Sequence, residues 1–287
     1  MVQNGLNHYF RQENYQIFLL KDESPSANQK ASKNIQIGRL RHPQRILEKI
    51  IRQYPQKALP YKLLGDYYNI QLKDISNFEA VEQLKINDLE EKIYTYYSQA
   101  VKLRLEDSYL NRWLGDYYAH SNQIELAEKF YLKNSRKNYE DPISLYRLAE
   151  INYQKKLFTK AFNFADRSLD LFTPEDIYLK YDAIRLSANS LRELGEESRF
   201  IELIKECIQL IPEIQEAYLD LTRFYTDHSN YDLAEKTYKQ MLTANPFELK
   251  GYRNFETYLS KTKNYAVADT YRFFLPDHNL NDQCKNG

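Results

Sequence analysis

Trp113-Leu114-Gly115-Asp116-Tyr117-Tyr118, followed after Ser121-Asn122-Gln123 by Leu126-Ala127-Glu128-Lys129-Phe130-Tyr131, is the stretch whose reading decides the fold. Each half carries apolar residues at helical spacing, and the residues between them favour a turn. The stretch therefore reads as two short antiparallel helices, with small residues where the rods cross. Paired helices lie about 8–10 Å apart, and the closest approach requires Gly or Ala at the crossing. Larger aromatic side chains fill the space beside it.

Working outward, the same construction recurs. Ala161 lies 34 residues beyond Ala127, and Ala268 lies 34 beyond Ala234. One such step from Phe200 reaches Ala234, and one step back from Ala127 reaches Ile93. Pro212 and Pro246, Tyr218 and Tyr252, and Tyr97 and Tyr131 keep the same beat. Recurrence across several residue types excludes chance, and this period belongs to helix–turn–helix arrays.

At these residues the chain resembles the tetratricopeptide-repeat (TPR) family. Leu64-Gly65, Leu114-Gly115 and Leu148-Ala149 match its Leu-Gly pair, and Tyr68, Tyr118 and Tyr225 its first-helix tyrosine. Ala127, Ala161, Ala234 and Ala268 match the second-helix alanine; Tyr97, Tyr131 and Tyr238 match the aromatic; Pro55, Pro212 and Pro246 match the closing proline. The resemblance implies an all-α fold, a right-handed superhelical solenoid of antiparallel helix pairs with about six TPR-like repeats. Ile93 and Phe200 stand where Ala is usual and Glu256 where Gly or Ala is usual, so splayed units and a degenerate last repeat are expected.

Three divisions follow. Residues 1–39 read as an N-terminal helix (Leu6, Tyr9, Phe10, Ile17 and Leu20) and a flexible connector; 40–277 read as the solenoid; 278–287 read as a polar tail. Gly65 and Gly115 are 50 apart, 16 more than the period, which places an insertion at 71–87. Ser76-Asn77-Phe78-Glu79 has the form of a capping box and predicts a short extra helix; Asp88-Leu89-Glu90-Glu91 predicts the start of the displaced second helix. Thr173-Pro174-Glu175-Asp176 predicts the capped start of a lengthened first helix.

Composition narrows the function. Forty Lys+Arg balance 40 Asp+Glu, without the basic excess usual in a nucleic-acid surface. Cys207 and Cys284 have no metal or redox spacing, and Cys207 reads as a buried small residue of a second helix. No run approaches the roughly 18–20 apolar residues of a membrane helix. Residues 1–20 lack the pattern of a signal peptide, which predicts a cytoplasmic protein, or a periplasmic or lipid-anchored one if a leader has been removed. The histidines are scattered, and no phosphate loop, nucleophile elbow or zinc motif is present; the expectation is a non-catalytic chain that needs no cofactor and no metal.

What the resemblance implies is binding. In TPR proteins the first helices of successive units line a concave groove that takes an extended peptide or a partner helix. Phased on each Leu-Gly pair, the groove side chains are Lys62 and Asp66, then Arg112, Trp113 and Asp116. Tyr146, Arg147, Glu150 and Tyr153 follow, then Arg185 and Asn189, and finally Asp220, Arg223, Arg253 and Asn254. Spaced Arg and Lys between aromatics suit an acidic or carboxylate-bearing peptide. Equally, Lys62–Asp66 and Arg112–Asp116 read as i,i+4 pairs that only solubilise a helix face. Trp113 reads as a groove anchor or as packing against a neighbouring helix. Asp66 and Asp116, where the family's chaperone-tail clamp carries Asn, disfavour that ligand. The expected function is a protein–protein interaction scaffold or adaptor in complex assembly; the alternatives are an RNA-associated helical-repeat protein and a self-assembling structural component. The oligomeric state is not legible.

Overall fold

The computed structural model describes residues 43–76, 83–136 and 140–262. The regions 1–39 and 278–287, and the second helix expected before residue 277, lie outside the described residues. Among the described residues there are twelve α-helices and no strand. The chain divides into two compact units, with the division between Asn134 and Ser135.

The first unit contains α1 (Pro43–Gln53), α2 (Ala58–Ser76), α3 (Gln83–Lys102), α4 (Ser108–His120) and α5 (Ile124–Lys133). α2 pairs with α3 and α4 with α5, and α1 packs on α2 as a second helix without a described partner of its own. Leu63, Leu64, Ile93, Tyr97, Leu110 and Leu114 are fully buried in one core. Residues 71–76 extend α2 to 19 residues and 83–87 extend α3 to 20. Asp88-Leu89-Glu90-Glu91 therefore lies within α3 and does not start it. The box is a local signature, and the turn before it propagates the helix, with Gln83 donating to Asn87 at 3.0 Å. Residues 77–82, on which the short extra helix was expected, lie outside the described residues.

The second unit contains α6 (Pro142–Gln154), α7 (Phe158–Leu169), α8 (Ile177–Glu193), α9 (Glu197–Leu210), α10 (Gln215–Asp227), α11 (Tyr231–Ala244) and α12 (Leu249–Lys261). Three hairpins, α6–α7, α8–α9 and α10–α11, are followed by α12 as a first helix. Asp141 caps α6 through the Ser144 amide (2.9 Å), with Pro142 in the first turn. Thr173 and Asp176 form the predicted capping box, but it closes a 3-10 turn (Pro174–Asp176) just ahead of α8. Ile93 and Phe200, the large residues at alanine positions, are both fully buried. Phe200 sits 5.0 Å from the Phe224 ring, so the bulk is absorbed by an aromatic contact.

One turn closes four hairpins. Asn122, Lys156, Gly195 and Ser229 all have left-handed backbone, φ between 57° and 79°. In each turn this residue donates to the carbonyl three back, and the next donates five back: Asn122 to Ala119 and Gln123 to Tyr118, Ser229 to Thr226 and Asn230 to Tyr225. That is the Schellman closure, which satisfies the last carbonyls of the first helix while the chain reverses. Glycine fills the left-handed position only once.

Candidate partner-binding face

In the first unit the first helices are positioned by a close contact. A Cβ built on Gly65 would lie 2.4 Å from the Tyr97 ring, and one on Gly115 would lie 2.4 Å from the Tyr131 ring. Each tyrosine lies flat where only hydrogen fits. Its hydroxyl then donates to the aspartate beside the glycine: Tyr97 to Asp66 and Tyr131 to Asp116, both at 2.7 Å. The third hairpin keeps the register with different sizes, Ala149 on α6 and Ala165 on α7, both fully buried.

This latch sets the surroundings of several predicted groove residues. Lys62 and Asp66 are buried, only 5% and 2% exposed. Lys62 Nζ lies 2.9 Å from Asp66 and 3.6 Å from Asp107, so this i,i+4 pair is a buried, multiply bonded charge cluster. Removing a buried charge from water is costly unless its partners surround it, and here they do. Trp113 packs edge-on against Tyr97 (5.3 Å) and stacks on Tyr117 (5.5 Å). The Arg112 guanidinium lies 5.4 Å over the Tyr109 ring.

In the second unit, α6, α8 and α10 bring several of the named residues together. Tyr146 and Arg147 both donate to Glu150 at 2.8 Å. Arg185 Nε donates to Asp220 at 2.6 Å, and Asn189 reaches the same oxygen at 3.3 Å, joining α8 to α10. Tyr153 packs edge-on against Phe158. Arg223 and Arg253 are exposed and Asn254 is half-buried.

The electrostatics follow from this crowding. Burial, then the carboxylate of Glu150, drives the Tyr146 hydroxyl far above the usual phenol range. Burial opposes the charge on Arg185, yet the hydrogen bond and charge of Asp220 prevail and raise it. Two acidic residues missed in the sequence belong to this face, Asp182 and Glu216. Asp182 is exposed, and only partial desolvation of its carboxyl pushes it up; Arg185 pulls it back, while Glu150 and Glu216 push it up again. A signal for both was available: Asp182 and Glu216 stand 34 apart, at one repeat position. Elsewhere, Cys207 is fully buried in α9, and burial raises its thiol to about 12. No helix among the described residues is long and apolar enough to cross a membrane.

No family model matches this sequence, and no curated protein matches it. Solved structures do match. A crystal structure of YrrB, described as a TPR protein with an unusual peptide-binding site, aligns with TM-score 0.55 at 15% identity, over 72% of this chain and 96% of that one. PilF of Pseudomonas aeruginosa aligns with TM-score 0.54 at 11% identity, over 74% and 90%. The Cut9-Hcn1 hetero-tetramer of the APC/C aligns with TM-score 0.46 at 16% identity; this chain covers 76% of its own length but only 45% of that chain. Twelve helices without a strand among the described residues, paired as hairpins and superposing on YrrB and PilF, give this chain a TPR-like helical-repeat solenoid fold.

Proposed function

We propose that this chain is a non-catalytic interaction scaffold whose first helices hold an extended peptide or a partner helix. The observation that carries the reading is the ordered polar face of α6, α8 and α10. Arg147 and Arg185 are held by Glu150 and Asp220 before any partner arrives, so little side-chain ordering opposes association. Arg147, Arg185 and the exposed Arg223 offer bidentate partners to carboxylates, and Asp182 offers a site to a cation. Complex assembly is the role that suits a rigid face presenting both signs of charge.

The test is quantitative affinity purification of the intact protein beside an Arg147→Ala/Arg185→Ala variant. Loss of a subset of partners from the variant, with its helical content unchanged, supports the reading. Recovery of the same partners in the same amounts ends it for these residues.

A further inference from the structure

Away from the first-helix face, the second helices α9 and α11 stand side by side over α10 and leave a cleft of about 490 Å³. This falls within the roughly 300–1,000 Å³ of ligand-holding clefts. Its floor is apolar, formed by Tyr218, Leu221 and Tyr225 of α10. Its walls carry matched side chains, Lys205 and Gln209 on α9 and Lys236 and Gln240 on α11, each pair one helical turn apart. Leu233, 44% exposed, adds an unburied apolar edge.

The charge of the cleft is one-sided. Both lysines line it and no carboxylate does, in a chain whose acids and bases are equal in number. Among the described residues neither lysine makes an ion pair, whereas the neighbouring Lys239 is held by Glu235 at 2.7 Å. Donors also outnumber the acceptors that meet them: neither glutamine amide nor the Tyr218 and Tyr225 hydroxyls have a hydrogen-bond partner among the described residues. Both phenols keep their proton at neutral pH as any tyrosine does, and burial raises them further from ionising.

We infer that the α9–α11 cleft is a second docking site, separate from the first-helix face, for an acidic peptide segment. An apolar side chain of the segment lies on Tyr218, Leu221 and Tyr225, and carboxylates on either side of it reach Lys205 and Lys236. Charge complementarity selects the anion, and the apolar edge selects a peptide over a bare polyanion, whose charges would leave the exposed Leu233 uncovered.

A random peptide library displayed on phage and selected on the intact protein tests this. The expected result is enrichment of sequences with Asp or Glu flanking an apolar residue. Synthetic copies of these should bind about tenfold more weakly to Lys205→Glu/Lys236→Glu, and measurably more weakly to Lys205→Gln/Lys236→Gln. Both lysines are exposed and make no ion pair among the described residues, so circular dichroism should show each variant folded as the parent. Binding should survive in Arg147→Ala/Arg185→Ala. The inference is overturned if selected peptides show no acidic enrichment, or if they bind the charge-reversed variant as well as the parent. Loss with the arginine variant instead would place them on the first-helix face. Equal or tighter lysine-dependent binding of a single-stranded RNA homopolymer would also overturn it.

Discussion

Gly115→Ala tests the contact that fixes the spacing of α4 and α5. In an unconstrained helix interior this change is favourable by about 1 kcal/mol. Here the new Cβ would lie 2.4, 2.7 and 2.8 Å from three atoms of the Tyr131 ring, distances that real Cβ atoms do not tolerate. Tyr131 is 1% exposed, so its ring has no free space to swing into. Turning it would also break the 2.7 Å bond from its hydroxyl to Asp116. Overpacking costs about 1–3 kcal/mol, and a hydrogen bond to a charged group contributes about 1.5–3 kcal/mol. Set against the propensity gain, the net expectation is a destabilisation of about 1.5–5 kcal/mol, centred near 3. With a urea slope of about 2 kcal/mol/M, the unfolding midpoint by far-UV circular dichroism should fall by about 1.5 M. In a Tyr131→Ala background the ring is gone, so adding Gly115→Ala should cost nothing or stabilise. If the single variant is as stable as the parent, or the cost is unchanged without the ring, the close contact does not set the spacing.

The left-handed turns give a second expectation. Lys156→Gly and Ser229→Gly should each stabilise by about 0.5–1 kcal/mol, and Gly195→Ala, though nothing crowds it, should destabilise by about 1 kcal/mol in the same assay. Asp220→Ala leaves Arg185 and Asn189 without their shared acceptor and should cost about 2 kcal/mol in a thermal melt, with the conservative Asn recovering part. The Asp182 carboxyl is raised from its ordinary value in the folded chain, so it holds its proton more tightly there than in the unfolded chain. Its contribution is fully present below the unfolded value and is lost as pH rises through the folded one. Asp182→Asn should therefore raise the urea midpoint at neutral pH and flatten this part of its pH dependence; an unchanged profile would show that Asp182 is not crowded.

The repeat was legible because period, small residues and aromatics all obey one geometry, and Gly115, Tyr131 and Ala127 report it from three sides. What sequence spacing could not supply is the neighbour across the hairpin. Lys62 and Asp66 read as a solvated i,i+4 pair, because nothing local marks Tyr97, 31 residues beyond Asp66, as the donor that helps enclose them. Arg185 read as an open cation for the same reason, since its acceptor, Asp220, is 35 residues on. The box at Asp88 misplaced a helix start because capping signatures are local, while α3 draws its length from packing along α2.

The matched sizes at the crossings also bear on how a repetitive chain avoids folding onto the wrong copy of itself. A helix bearing Tyr131 would collide with Ala149, and one bearing Ala165 would leave a void against Gly115. Either mistake is penalised sterically, so each helix of the array can recognise its own companion by bulk alone. Substitutions that equalise the crossings should thus promote exchanged dimers before they abolish helicity.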